Sequence, residues 1–487
     1  MAVDPMAVAP GHSLGFITLG ASLQSVLTTI KQDKAQFPAI DLAISSATPL
    51  TTPVIVTLPH NGIRLRFDAT DQRLRLIELL DFTKTRLTYK GSELVKKQED
   101  GSSATFKRIY QLFGASYPGE YLAPKTGRTG TYVLSWPGIA FNFPLQHSAW
   151  APDKDHVSLL GSQAASAATQ MAVFEGNSWP ETRSTLFVKT PSGPRQPAIS
   201  SQPRDVLPPE IELASVQGAG KVTFIRRSPA APFDIILNQT TAQDLITELG
   251  PPDATHQRDQ QVFQDDTTHP RPRTNSRSLS NGRPHPTPPS SYSSTGTDTF
   301  DTDFDSGDAE DEMAERIGRE TFWCYFGHGV DILLGPPSDQ ASMEDTGANP
   351  TPLSSSPHLV VLKIVLHGNI PGSYAFNRHR RLRWTIELRD ASSVLSSEHP
   401  FDDIKPDLMQ AFHNVWPESE MGRGKVVNRT WGADPSDSSF FLPDEEQDLV
   451  ETGSSSEQWL GNTKLYSFPG LTFEVLTNGA ISALTVS

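Results

Sequence analysis

The chain has 487 residues, with 41 lysines and arginines against 56 aspartates and glutamates, and therefore a formal net charge of −15. This acidic balance argues against a nucleic-acid binder, because affinity for phosphate backbones comes from clustered lysine and arginine. A single cysteine, Cys324, excludes an intramolecular disulfide framework and any metal site built from several cysteines. No signal peptide or membrane span is visible, so we expect a soluble cytoplasmic protein. We also expect it to need no cofactor.

Four short helices are predicted, in chain order, from apolar residues that recur with helical spacing. Their apolar faces contain Leu23, Val26, Leu27 and Ile30; Phe106, Ile109, Tyr110 and Phe113; Leu245, Ile246 and Leu249; and Ile404, Leu408, Met409 and Phe412. Gly114 and Gly250 are stop signals, and Thr240 or Thr241 is a candidate N-cap. Pro406 fits the first turn of the fourth helix.

After each helix comes a strand that starts with glycine and alternates apolar residues. These strands cover residues 62–67, 138–143, 329–334 and 470–475. A second alternating run would pair back as a hairpin at residues 74–79, 170–174, 360–366 and 481–486, the second being the least clear. A lone hairpin is marginal in water, so the units must share sheets. The predicted fold is α+β, a tandem repeat of a short helix followed by an antiparallel β-hairpin.

We predict two domains, at residues 12–190 and 210–487, each with two helix-hairpin units, joined by a linker at 191–209. Three insertions are rich in Pro, Ser, Asp and Gly and poor in large apolar residues. They cannot bury enough surface to offset the entropy of ordering, which predicts disorder. Their approximate bounds are 257–314, 336–357 and 417–461, and much of the excess acidity lies in the first and third.

The densest basic cluster contains Arg378, Arg380, Arg381 and Arg383. Strand alternation would place Arg381 and Arg383 on one face. One hypothesis is a site for an anionic lipid headgroup or an acidic partner, since guanidinium groups bind phosphate oxygens in a forked geometry. The alternative is a solvated sheet face that offsets nearby carboxylates, and the sequence leaves both open.

Two Pro-Gly-x-Tyr motifs predict type II turns, since Pro presets φ at the first central position and Gly supplies positive φ at the next. The tyrosines would clamp the turns against a sheet, or lie at a partner surface. The motif residues are Pro118, Gly119, Tyr121, Pro371, Gly372 and Tyr374.

No catalytic or metal constellation is apparent, and we predict a protein that is not an enzyme. Residues 218–221 lack the glycine and hydroxyl positions of a phosphate loop. Residues 301–312 have acidic residues at calcium-loop spacing, but Ser306 replaces the glycine that the sharp turn needs. The 13 histidines show no paired metal spacing, and Cys324 reads as core packing.

Several blocks together resemble the eukaryotic phagosome assembly factor 1 family. They are Leu14-Gly15, Thr18-Leu19-Gly20, Gly62-Ile63, Phe67-Asp68-Ala69, Gln72-Arg73-Leu74, Ile77-Glu78, Asp81, Thr83-Lys84, Phe113-Gly114-Ala115, Pro118-Gly119, Tyr121, Gly329-Val330-Asp331-Ile332-Leu333, His367, Pro371-Gly372, Tyr374, Phe376 and Asn377. The blocks reach from residue 14 to the final strand, and the long insertions indicate a fungal-type member.

This resemblance implies a non-enzymatic autophagy factor. Members of the family act with a β-propeller protein and are recruited with it from the cytoplasm to the phagophore assembly site, where phosphoinositides mark the membrane. The family offers no catalytic residues to transfer. A phosphoinositide-binding or membrane-trafficking adaptor that uses the basic cluster is the alternative function.

Overall fold

Strands dominate the computed structural model of the chain. The structure describes residues 5–95, 103–188, 208–218, 220–227, 230–257, 320–337, 358–388, 394–415, 422–428 and 462–487. Within these ranges there are 26 β-strands, six α-helices and one short 3-10 helix. The strands fall into four sheets, two built from residues 6–174 and two built from residues 211–486. The fold is therefore α+β with two domains of mostly antiparallel sheet.

The first domain contains 13 strands and four α-helices. Its strands are β1 (Met6–Ala9), β2 (Ser13–Leu14), β3 (Ile17–Thr18), β4 (Asp41–Ala43), β5 (Val54–Leu58), β6 (Ile63–Phe67), β7 (Leu74–Leu79), β8 (Leu87–Tyr89), β9 (Ser92–Glu93), β10 (Glu120–Leu122), β11 (Thr129–Trp136), β12 (Ile139–Gln146) and β13 (Gln170–Phe174). Its helices are α1 (Leu23–Gln32), α2 (Phe106–Phe113), α3 (His156–Leu160) and α4 (Trp179–Thr185), with the 3-10 helix at His147–Ala149.

The described part of the second domain contains 13 strands and two α-helices. Its strands are β14 (Ile211–Gln217), β15 (Lys221–Arg226), β16 (Phe233–Ile236), β17 (Ala254–Gln257), β18 (Thr321–Tyr325), β19 (Val330–Gly335), β20 (Val360–His367), β21 (Arg383–Ile386), β22 (Leu395–Ser396), β23 (Lys425–Asn428), β24 (Asn462–Phe468), β25 (Leu471–Val475) and β26 (Ile481–Val486). Its helices are α5 (Ala242–Leu249) and α6 (Phe401–Phe412).

The two domains have the same topology, strand for strand. Each has a five-stranded sheet, ordered β3-β2-β1-β8-β9 in the first domain and β16-β15-β14-β21-β22 in the second. Each also has an eight-stranded sheet, ordered β10-β11-β12-β13-β7-β6-β5-β4 and β23-β24-β25-β26-β20-β19-β18-β17. One pair in each small sheet is parallel, β1 with β8 and β14 with β21. Each strand in one domain therefore has an equivalent strand in the other.

Four helices each precede a four-stranded antiparallel meander. Helix α1 precedes β4 to β7, α2 precedes β10 to β13, α5 precedes β17 to β20, and α6 precedes β23 to β26. The hairpins read from the sequence are the third and fourth strands of these meanders, and two further strands separate each from its helix. The predicted unit, a helix followed directly by a hairpin, is therefore not confirmed.

The glycine that opens each repeated strand lies in a hairpin turn. Gly62, Gly138, Gly329 and Gly470 have φ of 64°, 78°, 77° and 73°. L-residues with a side chain rarely adopt this left-handed region, whereas glycine does so without steric cost. The recurring glycine thus marks the turn between the second and third strands of each meander.

Helix ends follow from local hydrogen bonding. The side chain of Ser22 caps α1, and Thr241 with Asp244 forms a capping box at the start of α5. Helices α2 and α5 stop at Gly114 and Gly250, as predicted. Pro406 is inside α6, which begins at Phe401, so its predicted place in a first turn is wrong.

Each domain has one main hydrophobic core, lined by residues from both of its sheets and from three helices in the first domain and two in the second. Strand alternation supplies the apolar face, as in β6, where Ile63, Leu65 and Phe67 are buried and the two arginines between them are half-buried. On helix α5, Leu245 and Leu249 are buried, but Ile246, which we predicted on the same apolar face, is 42% exposed.

The predicted insertions lie largely outside the described residues. Strand β23 is an exception, because it falls within the predicted insertion 417–461 and pairs with β24. The linker at 191–209 lies almost entirely outside the described residues as well, and the predicted domain boundaries stay a prediction.

Candidate functional site

The basic cluster does not form an open sheet face; most of it lies where the two domains meet. Strand β21 begins only at Arg383, so the preceding residues form a loop. Within that loop Arg380 and Arg381 are only 3% and 4% exposed. The loop packs against the β6–β7 turn of the first domain, and we call this region the domain junction.

Within the described residues, the hydrogen bonds of the Arg381 guanidinium all go to backbone carbonyls. Its Nε donates to the carbonyl of Thr70 in the first domain at 2.5 Å. Its Nη1 donates to the carbonyl of Gly368 at 2.7 Å, and Nη2 reaches that of Ser397 at 3.5 Å. Burial lowers the pKa of Arg381 to about 10, a value that leaves it charged at neutral pH. This arginine therefore ties a turn of one domain to two loops of the other.

A carboxylate between two arginines forms the second part of the junction. Glu210 Oε1 lies 2.9 Å from Nη1 of Arg73 in the first domain and 2.6 Å from Nη1 of Arg380. Arg380 also donates to the carbonyl of Ile211. Burial raises the pKa of Glu210, but Arg380 and Arg73 outweigh that effect and bring it down to about 2. Glu210 is thus ionised and shared by both domains.

The third part is a reciprocal amide pair. Gln72 Nε2 donates to the carbonyl of Asn369 at 2.8 Å, and Asn369 Nδ2 donates back to Gln72 Oε1 at 2.6 Å. Asn369 Oδ1 accepts the backbone N–H of Asn377 at 2.6 Å. All three residues have positive φ, between 47° and 62°. Asparagine tolerates positive φ and glutamine adopts it less often, so the surrounding contacts hold the backbone of this pair in that conformation.

Asp68 shapes the turn that the first domain contributes. Its carboxylate accepts the backbone N–H groups of Asp71 and Arg73, at 2.6 and 3.1 Å. It also pairs with Nε of Arg75 at 2.6 Å, and both side chains are buried. A buried carboxylate needs such partners, because an unpaired buried charge is costly. The turn is therefore pre-formed within the first domain.

Two of the predicted arginines keep some exposure. Arg378 lies over the ring of Phe326, with Cζ 5.4 Å from the ring centroid, and contacts His256. Arg383 pairs with Asp71 of the first domain at 3.1 Å and with Glu398. Contact between these arginines and an anionic headgroup or an acidic partner stays a prediction.

The two Pro-Gly-x-Tyr motifs differ in the structure. Gly372 has φ of 90°, as a type II turn requires, and Tyr374 is 49% exposed. Gly119 has no positive φ, so the predicted type II turn is not formed at Pro118-Gly119. A Cβ on Gly119 would lie 2.0 Å from the carbonyl oxygen of Val133, so close backbone approach explains this glycine. Tyr121 lies on β10, where its hydroxyl bonds His147 Nδ1 at 2.9 Å.

A group of metal-ligating side chains lies beside the junction, and we call it the Asp331 cluster. One carboxylate oxygen of Asp331 is 2.9 Å from Nε2 of His367, and the other is 2.8 Å from Nε2 of His379. The two imidazole rings stack with centroids 3.7 Å apart and planes 8° apart. The three ligand atoms all lie within 4.8 Å of one another.

The Asp331 cluster is largely buried and has defined charges. The side chains of Asp331, His367 and His379 are 16%, 13% and 2% exposed. Burial lowers the pKa of His379 to about 4, which keeps that ring neutral at neutral pH. Burial raises the pKa of Asp331, but hydrogen bonds from both histidines outweigh it and hold the pKa well below its usual range.

Sequence reasoning missed this cluster, because its members come from β19, the end of β20 and the junction loop. Asp331 and His367 are among the residues that carry the family resemblance, and His379 lies two residues after Asn377, yet no fixed spacing predicts that the fold brings them together. Cys324, which is buried as expected, pairs across the strands with Asp331. The acidic run at 301–312 lies outside the described residues.

Among the described residues, no helix is long and apolar enough to cross a membrane.

Comparison with known proteins gives a consistent result. The family model described as phagosome assembly factor 1 matches residues 13–278 and 307–487. A relative from Arabidopsis thaliana, named a PHAF1 protein, is 23% identical over 485 residues, covering 98% of this chain and 91% of the relative. A PHAF1 protein from Drosophila melanogaster is 22% identical over 508 residues, covering 99% of this chain and 93% of the relative. A PHAF1 protein from Caenorhabditis elegans is 30% identical over 126 residues, 26% of this chain and 28% of the relative. No solved structure matches.

Proposed function

The chain belongs to the phagosome assembly factor 1 family, and from that premise we propose that it is a non-enzymatic autophagy factor acting with a β-propeller partner at the phagophore assembly site. The family name supports a role in phagosome assembly. The partner, the site of action and the cytoplasmic origin come from the family resemblance and are part of the proposal.

The observation that carries the proposal is that several residues of the family resemblance lie at the domain junction. Asp68, Gln72 and Arg73 of the first domain, and Asn377 of the second, form hydrogen bonds and ion pairs at the domain junction. Of these contacts, Gln72–Asn369 and Arg73–Glu210 cross between the two topologically equivalent domains, and those of Asp68 and Asn377 shape the turns on either side. Such an arrangement supports presenting a fixed pair of surfaces to other proteins, which is what an assembly factor requires.

Affinity purification of the tagged full chain from starved cells tests the proposal. We expect a β-propeller protein among the recovered partners. The variant Glu210→Gln, which removes the shared carboxylate of the junction, should recover less of it. Glu212→Gln is the matched control, because Glu212 lies two residues away with a side chain 46% exposed. Recovery of no propeller protein with the wild-type chain would refute the proposed partner.

Direct binding to phosphoinositides is the second candidate, supported by the partial exposure of Arg378 beside Phe326. Flotation of the purified chain with phosphoinositide liposomes tests it. Arg378→Glu reverses a charge without touching the buried guanidinium groups, so weaker flotation than wild type would support direct contact. Equal flotation of Arg378→Glu and wild type would remove Arg378 from that role.

A further inference from the structure

We propose that Asp331, His367 and His379 form a binding site for a divalent transition ion of the zinc class. The inference is independent of the autophagy role, because it rests on the geometry of three side chains and not on the family.

The donor set fits such an ion. Two imidazole nitrogens and one carboxylate oxygen are ligands that zinc accepts, and imidazole suits transition ions better than magnesium or calcium. The ligand atoms already converge, since all three lie within 4.8 Å of one another. Neutral imidazole and ionised carboxylate are the forms that bind a metal.

The ligand atoms must shift before they can surround an ion. Ligands about 2.1 Å from a tetrahedral zinc are about 3.4 Å apart. The carboxylate oxygens of Asp331 are now 2.9 and 2.8 Å from the two Nε2 atoms. These two distances end on different oxygens of Asp331, and the two rings stack in nearly parallel planes, so one ring must turn until its Nε2 points at the ion that takes the place of the shared protons. Three protein ligands leave a fourth position for water, as in open zinc sites.

The cluster is not a by-product of the fold. In the first domain, the position equivalent to Asp331 on β19 is Arg64 on β6, because both follow the turn glycine by two residues and occupy matching registers. The position equivalent to His367 is Leu80, since the backbone N–H of each bonds the turn glycine's carbonyl. The same topology thus carries these ligands in one domain only.

The hydrogen-bond partners of the ligands set the expected affinity. Nδ1 of His379 is buried and has no hydrogen-bond partner among the described residues. In the metal-bound form this nitrogen carries the remaining ring proton, and a missing outer partner typically weakens a site by about 10- to 100-fold. We therefore expect micromolar affinity for zinc, below that of a fully supported structural site.

Titration calorimetry of the full chain, first treated with a chelator and dialysed, tests the proposal with zinc chloride as the probe and magnesium chloride as the comparison. We expect one zinc per chain and no magnesium binding at this site. Asp331→Asn and His367→Ala should each weaken zinc binding at least about tenfold, since a lost ligand costs more than a lost outer partner. His60→Ala is the matched control, because His60 is exposed and lies in the other domain.

Cobalt substitution identifies the donors. A site of two imidazoles and a carboxylate should give the visible d–d bands of four- or five-coordinate cobalt, without a thiolate charge-transfer band, and Cys324→Ser should leave the spectrum unchanged. Circular dichroism and the urea midpoint show whether each variant is folded. If Asp331→Asn does not fold, His367→Ala decides. Uptake of no zinc by the wild-type chain, wild-type affinity in a folded ligand variant, or a thiolate band would each overturn the assignment.

Discussion

Glu210 offers the sharpest test of the domain junction. Its side chain is 28% exposed and lies between Arg73 of the first domain and Arg380 of the second. Glu210→Gln keeps the shape of the side chain and removes the charge. It leaves Arg380, whose side chain is 3% exposed, without its counter-charge. Removing one partner of a buried pair is strongly destabilising, because the remaining charge stays buried.

The size of the effect follows from the pKa. The carboxyl titrates at about 2 in the folded chain against 4.5 for the free side chain. At about 1.4 kcal/mol per pH unit, this difference corresponds to roughly 3 kcal/mol of stability. Because the folded pKa is the lower one, the contribution is present above pH 4.5 and is lost as the pH falls towards about 2.

Urea unfolding at neutral pH, followed by tryptophan fluorescence and circular dichroism, measures this loss. We expect Glu210→Gln to lose about 3 kcal/mol, and Glu212→Gln no more than about 0.5 kcal/mol, since exposed pairs contribute little. The gap between Glu210→Gln and wild type should shrink as the pH falls below 4.5. A double-mutant cycle with Arg73→Met isolates the coupling between domains. Equal losses for the two glutamate variants, or a gap independent of pH, would refute the reasoning.

Three further predictions concern other parts of the chain. In Arg381→Lys the lysine cannot reach the carbonyls of both Thr70 and Gly368, so the free energy of unfolding should fall by about 2 kcal/mol. Urea unfolding should then split into two transitions. A single transition like that of the wild type would contradict this. Gly119→Ala should cost at least about 2 kcal/mol in thermal unfolding, because its Cβ would meet the Val133 carbonyl, whereas Gly327→Ala, with nothing within 4 Å, should change little. Burial raises the pKa of Cys324 to about 12, so iodoacetamide should not label this thiol in the folded chain at pH 8 but should label it in urea. Rapid labelling of the folded chain would contradict this, because it would show that the thiol is accessible.

The repeated part of the fold could be predicted because its signal is local. Helix α1 has all four predicted apolar residues buried, and the strand pairs β6–β7 and β25–β26 follow from alternation next to a turn glycine. The short first strands β4 and β10 were missed, since they have three residues each and offer no periodicity. The predicted unit therefore has two strands after each helix, whereas the meander has four.

The site could not be predicted because its partners are distant in sequence. Alternation predicted that Arg381 and Arg383 share one strand face, but Arg381 lies in a loop and bonds a carbonyl 311 residues away. A run of arginines in an acidic chain is compatible with solvent, a lipid surface or a buried pairing. Composition alone does not distinguish these environments, because the deciding residues, Thr70 and Glu210, are on other elements.

The parallel pairing within each small sheet affects the order in which the chain can fold during synthesis. In the first domain Met6 pairs with Leu87, whereas in the second Leu213 must wait for Arg383, 170 residues later. Loop-closure entropy grows only slowly with length, by about 0.6 kcal/mol for each doubling, so a long intervening segment is thermodynamically tolerable. The delay is kinetic: β14 and the neighbouring Glu210 leave the ribosome long before β21 and Arg380 exist. The finished first domain already presents Arg73 by then, so it can serve as the template on which the second domain closes.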